Sequence, residues 1–302
     1  MLSEKDIAAF ESAVVKSRQF FLFRLLHRPL EYLKGNGYYR FVYPLVQKPW
    51  IQHTKLFFGE SIIVPLPAGL DLYLLGIKTH HSEIRLTRML FRNLREGQVF
   101  IDVGAHVGYF SLLAARLTGQ QGRVYAFEAS SFIWPFLQHN VSGISSISVI
   151  HQAVGASGEM VTMKEFPVLF SEFNTISRHE PVISENKSRT YIEKMVEGIT
   201  LEVFFHKHNI TPDWIKIDVE GAEKDVIQGL LPFLNVGSPR IIMEFIPGPN
   251  AHMYLEAVNM LLKSDFEVYH IDDFGLLSQT NISQLKLLTS DSENLVFIKQ
   301  AD

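Results

Sequence analysis

The sequence contains no cysteine, which excludes disulfides, thiolate metal sites and cysteine nucleophiles together. There is no positive excess either. The 28 Lys and Arg stand against 32 Asp and Glu, a net charge of −4 with a pI near 6.3, so no nucleic-acid partner is expected. No run reaches the roughly 18 apolar residues of a membrane-spanning helix. Met1 to Ala9 is polar and mixed in charge, without the basic region, apolar core and cleavage site of a secretory leader. These absences make a soluble cytoplasmic protein the expectation. Internal repeats and low-complexity tracts are also missing. Apolar material is plentiful: 47% of 302 residues are hydrophobic, enough for a large core and for one catalytic domain with an extension.

The most informative run is Val99-Phe100-Ile101-Asp102-Val103-Gly104-Ala105-His106-Val107-Gly108-Tyr109-Phe110. A short apolar strand ends in an acid, and a glycine-bearing turn leads into a helix. A second strand, Arg123 to Glu128, also ends in an acid. A nucleotide-like cofactor is held in this way at the carboxyl end of a parallel sheet. A dinucleotide fingerprint would need glycines where His106 and Tyr109 stand, and a phosphate-binding loop would need Gly-Lys before Ser or Thr; both are missing. S-adenosylmethionine carries no phosphate and needs neither. Asp102 is placed to meet its ammonium, directly or through water. Gly104 and Gly108 keep the turn thin, and Glu128 suits the ribose hydroxyls. The plainer alternative is a common turn after a buried strand, with the acid as a helix cap.

From Val99 onward strands and helices alternate, which favours a parallel sheet with helices on both faces. The expected strands are 99–103, 123–128, 147–151, 213–218 and 239–245. The expected helices are 107–118, 131–141, 200–209, 220–230 and 251–264. Phe266 to Ile271 and Asn294 to Lys299 read as an antiparallel closing pair. Residues 155–199 interrupt the alternation and read as a lid or recognition loop. Upstream, Ile62 to Leu66 and Leu70 to Leu75 read as a hairpin around Pro67-Ala68-Gly69. His81 to Leu94 reads as an amphipathic helix capped by Ser82 and ended by Gly97. The chain thus divides into a helical extension, 1–60, and a catalytic domain, 61–302, with its cofactor core at 97–247. Within the extension, residues 16–34 set Arg18, Arg24 and Arg28 among Phe20, Phe21, Phe23, Leu25 and Leu26. This stretch suits either a peripheral contact with the inner face of a membrane or a helix packed on the catalytic domain or across a homodimer.

Three blocks resemble the FkbM family of S-adenosylmethionine-dependent methyltransferases: Phe100 to Phe110; Val124 to Ser130 with Asn140; and Asp213-Trp214-Ile215-Lys216-Ile217-Asp218-Val219-Glu220-Gly221-Ala222-Glu223, followed by Gly229 and Ile242-Met243-Glu244. The resemblance covers about 97–247, and Thr79 to Glu83 looks like the family's helix entry. It implies a Rossmann-like methyltransferase fold, with a mostly parallel seven-stranded sheet and helices on both faces. It also implies S-adenosylmethionine as cofactor and methyl transfer to a hydroxyl of a sugar, glycan or secondary metabolite. Carried onto this chain, the cofactor set is Glu83, Asp102, Gly104, Ala105, His106, Gly108, Tyr109, Glu128, Ala129 and Asp218. Two positions depart from the family: His106 stands where Asn is usual, and Ala129 where Pro is usual. An acid that the family often places before the third block stands here as Glu202.

Methyl transfer from a sulfonium needs alignment, exclusion of water and a base near a poorly nucleophilic hydroxyl. Asp218 and Glu220 are the first candidates for base or acceptor-orienting group, and His106 is third. His81, Glu172 and Glu244 follow. No metal is expected, since two acids two residues apart are common by chance. Each candidate has a plainer role: Glu220 as a partner of a helix dipole, Asp218 as an organiser of its loop, Lys216 as a pair for a neighbour, and Glu223 and Lys224 as a solvated face. His139, His151, His206 and His208 read as ordinary surface or packing residues. Two other functions stay open. N-methyl transfer by the same fold needs no strong base, so Asp218→Asn would cost it little. A non-catalytic protein retaining the fold would transfer no methyl group.

Overall fold

The computed structural model describes residues 2–19, 28–176, 190–248 and 251–300. Helix α1 (Glu4–Arg18) opens the chain with a reciprocal cap, Ser3 and Asp6 each accepting the other's backbone N–H. After it come α2 (Pro29–Gly37), a π-helical turn (Tyr38–Val42) and α3 (Tyr43–Val46). Strands β1 (Trp50–Lys55) and β2 (Ser61–Leu66) form an antiparallel hairpin. Helices α4 (Leu70–Leu75) and α5 (His81–Asn93) lead to the main sheet.

The alternating series is then β3 (Val99–Val103), α6 (Tyr109–Thr118), β4 (Arg123–Phe127), α7 (Trp134–Asn140) and β5 (Ile147–Ile150). It breaks for β6 (Ala153–Val154), β7 (Val161–Glu165), a 3-10 helix (Val168–Phe173), β8 (Thr175–Ile176), β9 (Ile192–Val196) and β10 (Gly198–Ile199). It resumes with α8 (Leu201–His208), β11 (Trp214–Ile217), α9 (Glu223–Leu234), β12 (Arg240–Phe245) and α10 (Ala251–Leu262). The chain closes through β13 (Phe266–Ile271), β14 (Leu277–Gln279), α11 (Ile282–Leu285) and β15 (Glu293–Lys299).

The main sheet runs β14-β13-β15-β12-β11-β3-β4-β5. Strands β3, β4, β5, β11 and β12 pair in parallel; β15 is antiparallel to both β12 and β13, so β13 runs with the parallel set, and β14 is antiparallel to β13. This is the mostly parallel sheet of seven strands that the resemblance implies, extended by the short edge strand β14. Alternate residues feed two cores. Phe100, Val124, Trp214 and Ile242 face α5, α6 and α7, whereas Ile101, Phe127, Ile215 and Met243 face α8, α9 and α10. The chain moves outward from β3 in one direction and returns at β11 to move in the other. The junction between β3 and β11 is therefore the switch point at which doubly wound sheets bind ligands.

Several sequence expectations are corrected upstream. The hairpin is β1–β2, and Leu70 to Leu75 is helical; this short apolar run carries no decisive period, and Gly76, at φ +69°, ends it as a helix. Strand β1 lies inside the segment read as a helical extension, and its pairing with β2 joins residues on both sides of position 60. Ser82 does not cap α5: it is the second helical residue, and its hydroxyl meets His80 Nδ1 and Ser292 Oγ. The 155–199 interruption holds strand pairing of its own, an antiparallel β8-β7-β9 sheet. Phe20 to His27, the middle of the aromatic and basic stretch, lies outside the described residues, as do residues 177–189 of the interruption.

One close approach fixes the switch point. Gly104 has φ +79°, and a Cβ there would stand 1.8 Å from the carbonyl oxygen of Asp218. Any side chain would force β3 and β11 apart. Gly37 is helical, with nothing within 4 Å of its Cβ position. Gly104→Ala should lower stability in urea denaturation by more than about 3 kcal/mol or give no folded protein. Gly37→Ala should be neutral or raise stability by up to about 1 kcal/mol. Equal effects would contradict the assigned contact.

Candidate active site

The turn after β3 is tied to the end of β4. Gly104 and Ala105 both donate backbone N–H bonds to the Phe127 carbonyl, at 3.0 and 2.9 Å. His106 N–H donates to Glu128 Oε2 at 2.8 Å, and Ser130 N–H donates to Glu128 Oε1 at 2.8 Å. Glu128 thus spends one lone pair on each oxygen and keeps the others. Burial pushes its carboxyl up to about 7 against the pull of those two N–H groups. His106 sits at φ +50°, a left-handed conformation in which Asn and His are both enriched. Asn140, on α7, braces the turn: its amide donates to the Val107 carbonyl at 2.9 Å and exchanges two bonds with Ile63 of β2.

Beneath the turn lies a buried ionic centre. Register places Lys216 of β11 beside Asp102 of β3. Lys216 Nζ stands 3.5 Å from Asp102 Oδ1 and 3.0 Å from Asp218 Oδ2, with its side chain 2% exposed. Ser111 Oγ of α6 donates to the other Asp102 oxygen at 2.6 Å, and the Phe110 ring lies 5.2 Å from the ammonium. Burial alone would disfavour the ammonium, but the Asp218 and Asp102 carboxylates outweigh it, and the pKa is raised. Asp102 does not line the cavity above. It is fully buried below the turn, bound to Lys216 and Ser111, an arrangement that does not favour the direct route to the cofactor's ammonium over the expected alternative through water.

A cavity of about 430 Å³ opens over the ends of β3, β4, β11 and β12. Gly104, Ala105, His106, Tyr109, Glu128 and Ala129 line one part, and Glu83, Asp218, Glu220 and Glu244 another. Gly108 shapes the turn from behind, at φ +92°, where a Cβ would meet Leu137 at 2.9 Å. Asp218, Glu220 and Glu244 each offer an oxygen within 4.8 Å of the others, a set that suits a hard divalent cation as well as a shared proton. The expectation of no metal considered only Asp218 and Glu220; Glu244 joins them from β12. Burial and then neighbouring carboxylates raise the pKa of Glu220 and of Glu244 well above the usual range. Glu220 stands at φ +56° in the loop before α9, and not at the helix start. The loop is organised by Glu223, which accepts N–H bonds from Val219 and Gly221 at 3.1 and 3.0 Å. Glu223 is buried, which corrects its reading as a solvated residue, whereas Lys224 pairs outside with Glu256.

The interruption reaches this cavity through its 3-10 helix. Ser171 Oγ lies 3.2 Å from His106 Nε2. Glu172 pairs with Lys78 at 2.7 Å, and Lys78 lies 3.5 Å from Glu83. Burial first, then the Lys78 charge, lowers the His106 pKa to about 4, so the ring is neutral near pH 7. His81 does not line the cavity; it is exposed and faces Asp273 at 3.2 Å. Lys78 and Lys216, the two cations on the cavity wall, were not read as site residues from the sequence. Lys216→Met would leave Asp102 and Asp218 without their cation and should lower stability by about 3–5 kcal/mol in denaturant titration. A loss below about 1 kcal/mol would show that the acids do not depend on it.

The arrangement fits S-adenosylmethionine better than a phosphorylated cofactor. The wall is acidic, no lysine serves the glycine turn, and Glu128 faces the cavity with free lone pairs. No curated protein matches the chain in sequence. Among solved structures it is similar to the methyltransferase FkbM from Methylobacillus flagellatus, with 14% identity and TM-score 0.44, over 97% of this chain and 58% of that one. It is also similar to Aeropyrum pernix fibrillarin with natively bound S-adenosyl-L-methionine, with 14% identity and TM-score 0.42, over 82% and 93% of the two chains. An S-adenosylmethionine-dependent O-methyltransferase from Thermotoga maritima is similar with 13% identity and TM-score 0.39, over 83% and 78%. The family model described as the methyltransferase FkbM domain matches residues 102–267, more than half of the sequence. The chain belongs to the FkbM family of S-adenosylmethionine-dependent methyltransferases.

Proposed function

We propose that this protein methylates a hydroxyl oxygen of a sugar, glycan or other polyhydroxylated metabolite. The observation that carries the proposal is the cluster of Asp218, Glu220 and Glu244 on the cavity wall beside the cofactor turn. S-adenosylmethionine supplies the methyl group on a sulfonium, which leaves as a neutral thioether and needs no acid. Of the cavity-lining residues, Glu128 would hold the ribose hydroxyls, Glu83 and Asp218 the cofactor's ammonium, and Lys78 its carboxylate. Apolar Phe127, Ala153 and Val154 offer a surface to the adenine.

With the cofactor bound, its methyl group would pass from sulfur to the acceptor oxygen, and the hydroxyl proton would pass to a carboxylate of the cluster. A carboxylate whose pKa is raised by burial is, once deprotonated, a stronger base than a solvated one. Asp218 stays oriented by Lys216, so Glu220 is the first choice for the proton acceptor, with Glu244 sharing its proton. His106, neutral and beside Ser171, orients the acceptor. Absence of cysteine fits the reducing, cytoplasmic setting that belongs to the same proposal.

Two measurements separate binding from chemistry. In calorimetry, Glu128→Ala should weaken S-adenosylmethionine binding at least about tenfold, the effect of losing hydrogen bonds to a charged group; equal affinity would remove the ribose assignment. With labelled cofactor and a panel of hydroxylated acceptors, Glu220→Gln should lower kcat about 10²- to 10⁴-fold with little change in cofactor affinity. Transfer to amines alone, with Glu220→Gln near wild type, would favour N-methylation. Activity abolished by a chelator and restored by Mg²⁺ would assign the carboxylates to a cation.

A further inference from the structure

Residues 15–55 hold eight of the chain's 28 Lys and Arg and one acid, Glu31, within a protein of net charge −4. In the same segment α2, the π-helical turn and α3 run on without a break. Their inner side is packed: Tyr32, Gly35 and Tyr43 are buried, and Gly35 faces Leu70 and Tyr73 of α4. The outer side is different. Leu30, Leu33, Phe41 and Leu45 are 67%, 61%, 74% and 85% exposed. Their spacing keeps them on one helical stripe. Lys34, Arg40 and Lys48 are exposed along it or at its end. Helix α1 is not part of this face, because Phe10 packs between Phe57 and Phe91 and Glu11 pairs with Arg88.

We propose that the outer face of α2 and α3 docks on an anionic lipid bilayer surface. A row of large apolar side chains needs a cover, and the flanking cations select its chemistry. Leucine and phenylalanine enter the boundary of the acyl chains while lysine and arginine reach the phosphates. A second copy of the chain would set these cations against one another. Behind α2, a hollow of about 280 Å³ repeats the combination: Lys16, Arg28 and Lys55 share its wall with Leu56, Phe57 and Leu74. Apolar surface beside clustered cations is the signature of a headgroup with its chain.

The test mixes the full chain with vesicles of equimolar phosphatidylglycerol and phosphatidylcholine, and with vesicles of phosphatidylcholine alone, and reads the bound fraction by co-sedimentation. Binding should be at least tenfold stronger to the anionic vesicles and should weaken as salt rises. F41E/L45E and R40E/K48E should each lower it at least about tenfold, given about 1 kcal/mol per cation near such a surface. Circular dichroism and melting temperature should match wild type, since the altered residues are exposed. No binding, equal binding to both vesicles, or wild-type binding by the well-folded R40E/K48E variant would overturn the proposal. A dimer in light scattering that F41E/L45E dissociates, without vesicle binding, would assign the face to a second copy instead.

Discussion

The site depends on one buried cation. Lys216 stands between Asp102 and Asp218, and its position follows from the parallel register of β3 and β11. Side chains alternate along a strand, so Asp102 and Lys216 share the face that α6 covers, where Ser111 and Phe110 complete their surroundings. An ion pair in such a place gives little net stability by itself, because desolvation opposes attraction. What it gives is position. Two acids that would repel at the switch point are held by one ammonium, and Asp218 reaches the cavity wall in a defined orientation. The Gly104 contact acts on the same junction from the backbone side. Each favours one spacing between the two strand ends.

Above that centre, charge is divided unevenly. The cavity wall carries Glu83, Glu128, Glu172, Asp218, Glu220 and Glu244 against Lys78 and Lys216. A phosphorylated cofactor would be repelled by such a wall, while a sulfonium nucleoside and an uncharged polyol would not. Burial and mutual repulsion then raise Glu128, Glu220 and Glu244 above the ordinary carboxylate range. The basic counterpart lies elsewhere, in residues 15–55. A net charge of −4 therefore conceals an acidic cavity wall and a basic stretch of sequence.

Much of the sheet was legible because its strands are short apolar runs closed by acids or glycines. The helices between them carry an apolar stripe that only the 3.6-residue period explains. Boundaries from Val99 to Lys299 differ from the sequence reading by a few residues at most. Leu70 to Leu75 was misread because six residues without a clear period fit either state. Glu223 was misread because a charged residue at a helix start is usually solvated; its burial depends on the loop that it caps. Lys216 reads from the sequence as a pair for a neighbour, and it pairs with Asp218 two residues on; its cross-strand partner Asp102 gives no local signal. Lys78 is not singled out by the sequence: Glu83 lies five residues on and Glu172 far along the chain, and a lysine in a loop looks the same whether or not an acid waits beside it. Asp102 is the opposite case: the motif announces an acid at the turn, and only the packing of Ser111 and Lys216 shows that it lies below the cavity.

The interruption between β5 and α8 gains meaning from the groups that hold it. Its 3-10 helix meets the cavity through Ser171 at His106 and through Glu172 at Lys78. His106 belongs to the cofactor turn, and its left-handed backbone is fixed by the Glu128 bond to its N–H. Lys78 stands just before α5 and also faces Glu83. These two contacts thus end on residues that line the cavity, which Met163, Asn174, Thr175 and Ile176 of the interruption line as well. Glu165 of β7 adds a third tie, accepting from Ser130 and Ser131 immediately after Glu128. A segment attached in this way is built into the cavity wall. Its attachment points are the turn after β3 and the strand end beside it, so the position of the segment and the shape of that turn are set by the same few bonds.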